Sequence, residues 1–282
     1  MRLLIAGCGD LGTRLGLLWC ESGGSVVALR RRIEALPSCF ERVAADLTQP
    51  LPAGLFCGHF DAVAYLASAD ARTPQAYQLA YVEGFKRLLE GLSAPVARML
   101  FASSTAVYAE DMGGWVDETT ITQPTTFNGQ ILMRAEQQLF ELAPQATAVR
   151  LSGLYGPGRE RMLALARAGD VGSPRWGNRI HIDDAARALA HVLRLQRPPK
   201  LLCVSDDQPA RDDVVLAYLR MLLDLPEPVT HQPITAGTES AERGRRVSNQ
   251  QLRSTGFALR YPSFAVGYTA LLSQQPRMAA LL

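Results

Sequence analysis

Three glycines, Gly7, Gly9 and Gly12, have the type and spacing of a phosphate-binding turn, G-x-G-x-x-G. They follow the apolar run Leu3-Leu4-Ile5-Ala6 and precede an apolar segment with helical spacing. In this motif the first glycine makes a tight turn, the second lets the backbone approach a pyrophosphate, and the third lets the helix pack closely on the strand. The phosphates would lie at the positive end of the helix. The predicted dinucleotide-binding residues at this turn are Gly7, Gly9, Asp10, Leu11 and Gly12.

The predicted second strand is followed directly by Arg30-Arg31-Arg32. In such motifs the residue about 20 positions beyond the glycines contacts the adenosine ribose. An acidic residue there binds the 2′-OH, whereas an arginine accommodates a 2′-phosphate. No acidic residue occurs in this stretch before Glu34. Because an arginine can hold a phosphate dianion bidentately, the sequence favours NADP over NAD, with Arg30 and Arg31 as ligands. A solvated loop is the alternative interpretation. Asp46, after the third strand, is expected either to close the adenine pocket or to serve as a turn residue.

The elements that position these residues follow from short apolar runs that alternate with segments of helical period. This pattern is typical of a parallel sheet buried on both faces, so the predicted class is α/β with a doubly wound, Rossmann-type parallel sheet. The runs are 3–6, 26–29, 62–66, 99–102 and 146–149. The predicted helices are 10–22, 74–92, 127–142, 183–195 and 210–223, and the predicted loops are 109–126, 153–160, 169–178 and 224–240.

The 282 residues suffice for a nucleotide-binding domain and a smaller appendage. We expect residues 1–150, completed by about 179–205, to form the Rossmann domain. The smaller, discontinuous C-terminal region, residues 151–178 and 206–282, is expected to bind substrate, because ligands of open parallel sheets lie outside the carboxyl ends of the strands.

Composition excludes several classes of function. A formal charge of +2 argues against a nucleic-acid partner, and no run approaches the roughly 20 apolar residues that would span a membrane. The five cysteines and four histidines show no ligand spacing, so we predict no metal. We expect a cytoplasmic protein with a small-molecule substrate, as a monomer or a homodimer.

Further motifs along the chain point to a family. They are Asp46-Leu47-Thr48, Leu66-Ala67-Ser68-Ala69, Ser103-Ser104-Thr105-Ala106-Val107-Tyr108, Arg150-Leu151-Ser152-Gly153-Leu154-Tyr155-Gly156-Pro157-Gly158, Ile180-His181-Ile182-Asp183-Asp184-Ala185-Ala186 and Arg246-Val247-Ser248-Asn249. With the glycine turn, and in this order, they resemble the extended short-chain dehydrogenase/reductases, the NAD-dependent epimerase/dehydratase-like proteins, over nearly the whole length. The resemblance implies a nicotinamide cofactor and adds Leu66, Ala67, Ser68 and Ser103 to its predicted contacts.

The resemblance also predicts an atypical active site. The chemistry of the family rests on Ser or Thr with Tyr and Lys, the last two spaced as Y-x-x-x-K ahead of a helical Ala-Glu. When this sequence is aligned with the family pattern on Ala135-Glu136, Asn128 stands at the tyrosine position and Leu132 at the lysine position. A tyrosine with a pKa of about 10 transfers protons near neutrality only beside positive charge. Asn128 has no titratable proton, so the standard relay cannot operate, although its amide could donate a hydrogen bond to a carbonyl.

Other candidate residues follow from the same resemblance. Ser104 matches the catalytic serine and would either orient substrate or hydrogen-bond a strand end. Tyr108 would be either a substitute acid or a structural residue. Arg246, with Arg175, would bind an anionic substrate such as a nucleotide sugar; surface arginines are the alternative. Asp183 is expected to cap the helix that follows His181, and His181 is not assigned to catalysis.

Three functions remain open at this point. The first is an NADP-dependent oxidoreductase or a sugar-nucleotide-modifying enzyme with a rearranged active site. The second is a non-catalytic protein that senses NADP(H), which the missing Tyr-Lys pair favours. The third, a structural Rossmann domain without nucleotide affinity, is disfavoured while all three glycines remain.

Overall fold

The computed structural model describes residues 1–52, 54–56, 58–226 and 243–274. In these residues the strands are β1 Arg2–Ala6, β2 Ser25–Arg30, β3 Phe40–Ala44, β4 Ala62–Tyr65, β5 Arg98–Ser104, β6 Met112–Val116, β7 Thr147–Leu151, β8 Gly153–Tyr155, β9 Arg175–Gly177, β10 Arg179–His181, β11 Leu201–Val204, β12 Ala210–Arg211 and β13 Arg243–Val247. The helices are α1 Asp10–Glu21, α2 Pro74–Tyr77, α3 Gly84–Gly91, α4 Phe127–Leu142, α5 Arg161–Arg167, α6 Ile182–Val192, α7 Asp212–Leu222, α8 Gln250–Ser254 and α9 Phe264–Gln274. A π-helical segment, Gln78–Glu83, joins α2 to α3, and a 3-10 turn, Thr105–Val107, follows β5.

Seven strands form one parallel sheet in the order β11-β7-β5-β4-β1-β2-β3. The chain proceeds outward from β1 through β2 and β3, and then returns to the other side of β1 with β4. This reversal makes a topological switch point at the carboxyl ends of β1 and β4, where ligands of such sheets bind. The predicted doubly wound α/β class is therefore confirmed.

The sheet is buried on both faces, which explains the continuous apolar runs. Along β1, Leu3 and Ile5 pack into one apolar layer, which includes Leu15 of α1. Leu4 and Ala6 pack into the opposite layer. Successive side chains of a strand point to opposite faces, so every residue of this run must be apolar.

A smaller region lies beyond the parallel sheet. It contains a four-stranded sheet of order β12-β9-β13-β6 and the pair β10-β8, with α5, α7 and α9 packed around a third apolar cluster. Strand β6 belongs to this region although it falls within 1–150, the segment predicted to form the Rossmann domain. The predicted loops 109–126, 153–160 and 169–178 each contain a short strand, because strands of three to five residues that include glycine carry no clear alternation of apolar and polar residues. Most of the predicted loop 224–240 lies outside the described residues.

The predicted helices at 10–22, 127–142, 183–195 and 210–223 are found within one to three residues of their expected ends. The predicted helix 74–92 is confirmed as a continuous segment, although its middle is π-helical rather than α-helical.

The predicted cap of α6 is wrong. His181 occupies the N-cap position, and its Nδ1 accepts a hydrogen bond from the N–H of Asp183 at 3.3 Å. The carboxylate of Asp183 instead pairs with Arg14 of α1. A neutral imidazole can cap a helix in this way, and burial lowers the pKa of His181, which favours the neutral form.

Candidate functional site

The glycine turn has the geometry that each glycine's predicted role requires. Gly7 has φ +84°, and a Cβ there would lie 2.4 Å from the backbone N and Cα of Ala67. At Gly9 a Cβ would meet no described atom within 4 Å, so the backbone is open to approach. At Gly12 a Cβ would lie 3.0 Å from a methyl group of Ile5, where helix α1 packs on β1.

Helix α1 begins immediately after Gly9, which supplies no capping side chain. The N–H groups of the first turn are therefore available to an anion, and the helix dipole favours negative charge there.

A cleft of about 400 Å³ runs along the carboxyl ends of the parallel strands. All residues predicted to contact a dinucleotide line it. They are Gly7, Gly9, Asp10, Leu11, Gly12, Arg30, Arg31, Asp46, Leu66, Ala67, Ser68 and Ser103. The structure thus brings these residues together, and their contacts with a dinucleotide stay a prediction.

The three arginines after β2 all line the cleft, but they differ in their partners. Arg31 forms a bidentate ion pair with Asp70, with Nη1–Oδ2 and Nη2–Oδ1 distances of 2.5 and 2.6 Å. The guanidinium of Arg30 makes no hydrogen bond or ion pair with any residue that the structure describes. Asp70 also lines the cleft. The sequence analysis missed it, because 39 positions separate it from Arg31 and no motif links the two.

Asp46 has the contacts of a turn residue, and its role at an adenine pocket stays a prediction. Its Oδ1 accepts hydrogen bonds from the N–H of Thr48 at 2.9 Å and from the hydroxyl of Thr48 at 2.8 Å, which is the geometry of a turn residue. It also lines the cleft.

The two serines at the end of β5 are not equivalent. Ser103 lines the cleft, whereas Ser104 does not. The hydroxyl of Ser104 accepts a hydrogen bond from the N–H of Ala106 at 3.2 Å and caps the 3-10 turn, which is its structural alternative. Asn128 likewise lies outside the lining of the cleft, and its Oδ1 is buried without a hydrogen-bond partner among the described residues.

The contacts of Tyr108 favour its structural alternative over the role of a substitute acid. Its side chain is buried, and its hydroxyl donates to the backbone oxygen of Asp117 at 2.7 Å and accepts from Nη1 of Arg150 at 2.8 Å. Burial, with the neighbouring Cys203, raises the pKa of Tyr108 far above its usual range, although Arg150 opposes this shift. Tyr108 is therefore a structural residue.

A buried polar network lies behind the cleft. The hydroxyl of Ser103 donates to Oε1 of Glu136 at 2.6 Å. Arg150 donates to both carboxylate oxygens of Glu136, from Nε at 3.1 Å and from Nη2 at 2.7 Å. The ion pair is almost fully excluded from solvent. Sequence analysis missed this pair, although an arginine in the buried strand β7 is a signal that it must have a partner.

Neither Arg175 nor Arg246, the arginines predicted to bind substrate, lines the cleft. Arg246 lies between the rings of Trp115 and Trp176, with its guanidinium carbon 5.4 and 4.9 Å from their centroids, and its Nε donates to the oxygen of Gly113 at 2.7 Å. Arg175 pairs with Asp111. Both belong to the small sheet, where stacking and pairing hold them, so this placement does not support the predicted role.

A second cavity of about 570 Å³ adjoins the cleft, and residues Leu154 and Arg159 line both. Arg159 stands where the two cavities meet, with its Nε 3.3 Å from Oδ2 of Asp10. Arg161 also lines the second cavity. Asp170, Arg179 and Asp212 line this cavity as well, so its wall carries charges of both signs.

The second cavity also contains one unpaired buried polar group. Tyr268 lines it, and its hydroxyl is buried with no hydrogen-bond partner among the described residues. The ring packs 4.7 Å from that of Tyr155. A buried polar group without a partner is uncommon, so this hydroxyl is a candidate contact for a bound molecule.

The described residues also bear on membrane-spanning segments and metal sites. No helix there has the length and apolarity to cross a membrane. No group of three or more His, Cys, Asp or Glu side chains in those residues is placed to hold a metal ion.

Residues 3–202 match the model of the NAD dependent epimerase/dehydratase family. The chain therefore belongs to this family, which confirms the resemblance at that level. Among curated proteins it is 30% identical to Protein YeeZ of Escherichia coli (strain K12) over 207 residues, which are 72% of this chain and 73% of that protein.

Solved structures have the same fold. A putative NAD-dependent epimerase/dehydratase from Methylobacillus flagellatus is 32% identical with a TM-score of 0.82, and the match covers 96% of this chain and 97% of that one. MoeE5 in complex with UDP-glucose and NAD is 24% identical with a TM-score of 0.80 over 97% and 98% of the chains. At this identity the second comparison shows the fold alone.

Proposed function

We propose that this chain binds NADP(H) in the cleft and acts as an oxidoreductase or nucleotide-sugar-modifying enzyme on a small anionic substrate in the adjoining cavity. The observation that carries the proposal is the guanidinium of Arg30, which lines the cleft next to the glycine turn without a partner among the described residues. A 2′-phosphate would satisfy this charge, whereas a ribose 2′-OH would not.

The residues of the cleft fit a nicotinamide dinucleotide. Gly9 leaves open backbone at the N-terminus of α1, where a pyrophosphate finds N–H donors. The family name and the NAD bound to MoeE5 support a nicotinamide cofactor, and Arg30 supports its phosphorylated form. When bound, such a cofactor supplies hydride transfer, and the protein positions it and excludes competing reactions.

The second cavity is the proposed substrate site. Arg159 and Arg161 line it and would attract phosphate groups such as those of the nucleotide sugar bound to MoeE5. The hydroxyl of Tyr268 would supply a directional hydrogen bond, because burial raises its pKa to about 12 and keeps it protonated. This assignment replaces the one predicted for Arg246 and Arg175.

The proposed active site lacks the Tyr-Lys pair of the family. At the corresponding positions Asn128 cannot exchange a proton and Leu132 is a buried apolar residue. Tyr81 is the tyrosine that lines the described part of the cleft, and the π-helical segment carries it there. Burial, with the neighbouring Tyr77, raises the pKa of Tyr81 to about 12, so at neutral pH it is a hydrogen-bond donor to substrate rather than a base.

A second candidate function is a protein that senses NADP(H) without catalysis. The substitutions at 128 and 132 favour it, because they remove the proton relay and leave the glycine turn intact. Titration with NADP⁺ and NADPH separates the two. A sensor must bind the two forms with different affinities, whereas an enzyme must also convert a carbonyl compound or a nucleotide sugar to product, with net consumption of NADPH only if the reaction is a reduction.

The cofactor assignment is tested by calorimetric titration of wild type and Arg30→Gln with NADP⁺ and NAD⁺. Loss of a charge-assisted contact worth about 1.5–3 kcal/mol should weaken NADP⁺ binding at least tenfold and change NAD⁺ binding less than twofold. Arg42→Gln, which removes the same charge from an exposed position of β3 outside the cleft, is the matched control. Unchanged discrimination in Arg30→Gln would overturn the proposed role.

A further inference from the structure

We propose that Asp70 opposes binding of the 2′-phosphate and so limits how strongly the cleft discriminates NADP from NAD. This inference rests on the cofactor proposed above and deepens it. It makes Asp70 a specificity-determining residue that acts against the arginines beside it.

The carboxylate of Asp70 occupies both terminal nitrogens of Arg31, at 2.5 and 2.6 Å. Two parallel N–H···O bonds are also the geometry in which an arginine binds a phosphate. The carboxylate of Asp70 therefore occupies the two donors with which Arg31 would otherwise bind a phosphate group. Arg31 follows β2 and Asp70 follows β4, so the pair joins the loops on the two sides of β1, at the rim of the cleft.

The ion pair between Arg31 and Asp70 is weak enough for a phosphate group to replace the carboxylate. The side chains of Arg31 and Asp70 are 53% and 57% exposed, and exposed ion pairs typically stabilise by about 0.2–1 kcal/mol. A phosphate dianion carries more charge than a carboxylate and can take the same two donors.

Asp70 disfavours the 2′-phosphate whether or not the pair opens. If Arg31 moves to the phosphate, NADP binding must first break the ion pair. If the pair stays closed, the negative carboxylate remains near the phosphate and repels it. NAD carries no 2′-phosphate and is subject to neither effect, so both routes reduce the ratio of NADP to NAD affinity.

The other charged groups at this end of the cleft do not replace Asp70. Arg30 and Arg32 are cations without ion-pair partners among the described residues. Asp46 is the other acid beside the arginines, and it accepts two hydrogen bonds from Thr48.

The test compares wild type with Asp70→Asn by calorimetric titration with NADP⁺ and NAD⁺ at low salt. Asp70→Asn should bind NADP⁺ about 3- to 10-fold more tightly, from the lost pair and the lost repulsion, with NAD⁺ affinity within twofold of wild type. Glu90→Gln is the control, because it also removes one acid from an exposed ion pair, that with Lys86 on α3, outside the cleft.

Two results would overturn the inference. Equal affinities in wild type and Asp70→Asn would show that the carboxylate has no influence. Weaker binding of both NADP⁺ and NAD⁺ by Asp70→Asn would show that the pair clamps the adenosine instead. The role of Arg30 is tested by its own variant. If Arg30→Gln leaves the discrimination between NADP and NAD unchanged while Asp70→Asn raises it, the role of Arg30 as a phosphate ligand fails and the role of Asp70 stands.

Discussion

Asp206 is a buried acid that the proposed chemistry does not use. It lies 1% exposed after β11, and its Oδ2 has no hydrogen-bond partner among the described residues. Burial raises its pKa to about 8, whereas an unfolded chain has an aspartate pKa of about 3.9. Between these values the folded protein holds a proton that the unfolded chain has released.

The free energy of unfolding of the wild type should therefore fall as pH rises from about 4 to 8, because the folded state binds more protons in this window. Asp206→Asn removes the titration, so its stability relative to wild type should increase over the same range. Urea unfolding at several pH values measures both. Glu141→Gln, which removes one acid from an exposed position of α4 far along the chain from Asp206, provides the control variant, and its stability should follow the wild-type pH dependence. Parallel curves for wild type and Asp206→Asn would contradict the role of this carboxyl.

At the residue scale, the sequence predicted well which segments of the chain meet at the cleft. It predicted less well which side chains in those segments line the cleft. Every glycine and arginine predicted for the cofactor lines the cleft, because spacing along a strand-turn-helix unit fixes the backbone. Ser103, the predicted cofactor contact, lines the cleft, whereas Ser104, matched to the catalytic serine, does not, because adjacent residues of a strand point to opposite sides. Asp70 and Arg159 reach the cleft through tertiary contacts that leave no local pattern.

At the scale of the element, the glycine turn provides a test that separates folding from binding. Gly9→Ala should leave the free energy of unfolding within about 1 kcal/mol of wild type, because φ is −84° and the added Cβ meets no described atom within 4 Å. It should weaken dinucleotide binding at least tenfold, because the Cβ would occupy the approach of the pyrophosphate.

Gly7→Ala is the contrasting variant for this turn. Its left-handed φ of +84° and the 2.4 Å approach to Ala67 should lower both stability and binding. Stability is measured by urea unfolding and affinity by titration with NADP⁺. Undiminished NADP⁺ affinity in Gly9→Ala would exclude the turn as the phosphate site.

Long elements were predictable and short ones were not. Helix α4 has the predicted bounds because sixteen residues carry several turns of apolar periodicity. Strands β8 and β9 have three residues each, too few to show alternation, and they form because partners distant in sequence supply their hydrogen bonds. The π-helical segment at Gln78–Glu83 has no sequence signal that we recognise.

At the scale of the whole molecule, the ion pair of Glu136 and Arg150 joins α4 to strand β7 of the large sheet, and its two side chains are 6% and 5% exposed. Removing one partner leaves a buried charge uncompensated, which typically destabilises by about 3–5 kcal/mol. Glu136→Gln should lose stability in that range by urea unfolding, whereas Glu141→Gln, exposed on the same helix, should stay within about 0.5 kcal/mol of wild type.

The double variant Glu136→Leu with Arg150→Met should be more stable than Glu136→Gln, because no unpaired charge remains. A loss below about 1 kcal/mol in Glu136→Gln would mean that water or another group replaces the carboxylate.

The division into a Rossmann domain of 1–150 completed by 179–205, and a smaller region of 151–178 and 206–282, stays a prediction. Its sequence basis was the order of apolar runs, which identified five of the seven strands of the large sheet and missed β3 and β11. It could not assign β6, because Met112–Val116 pairs with β13, more than a hundred residues later in the chain.

Strand β6 links the unfolding of the two regions, and therefore links the unfolding of the whole protein to ligand binding. The chain leaves the parallel sheet after β5, contributes this strand to the small sheet, and returns through α4 to β7. A fragment ending at residue 150 would lack both β13, the partner of β6, and β11, the edge strand beside β7. We therefore expect the regions to melt together, so that a dinucleotide that binds only the folded cleft should raise the midpoint of a single transition for the whole protein.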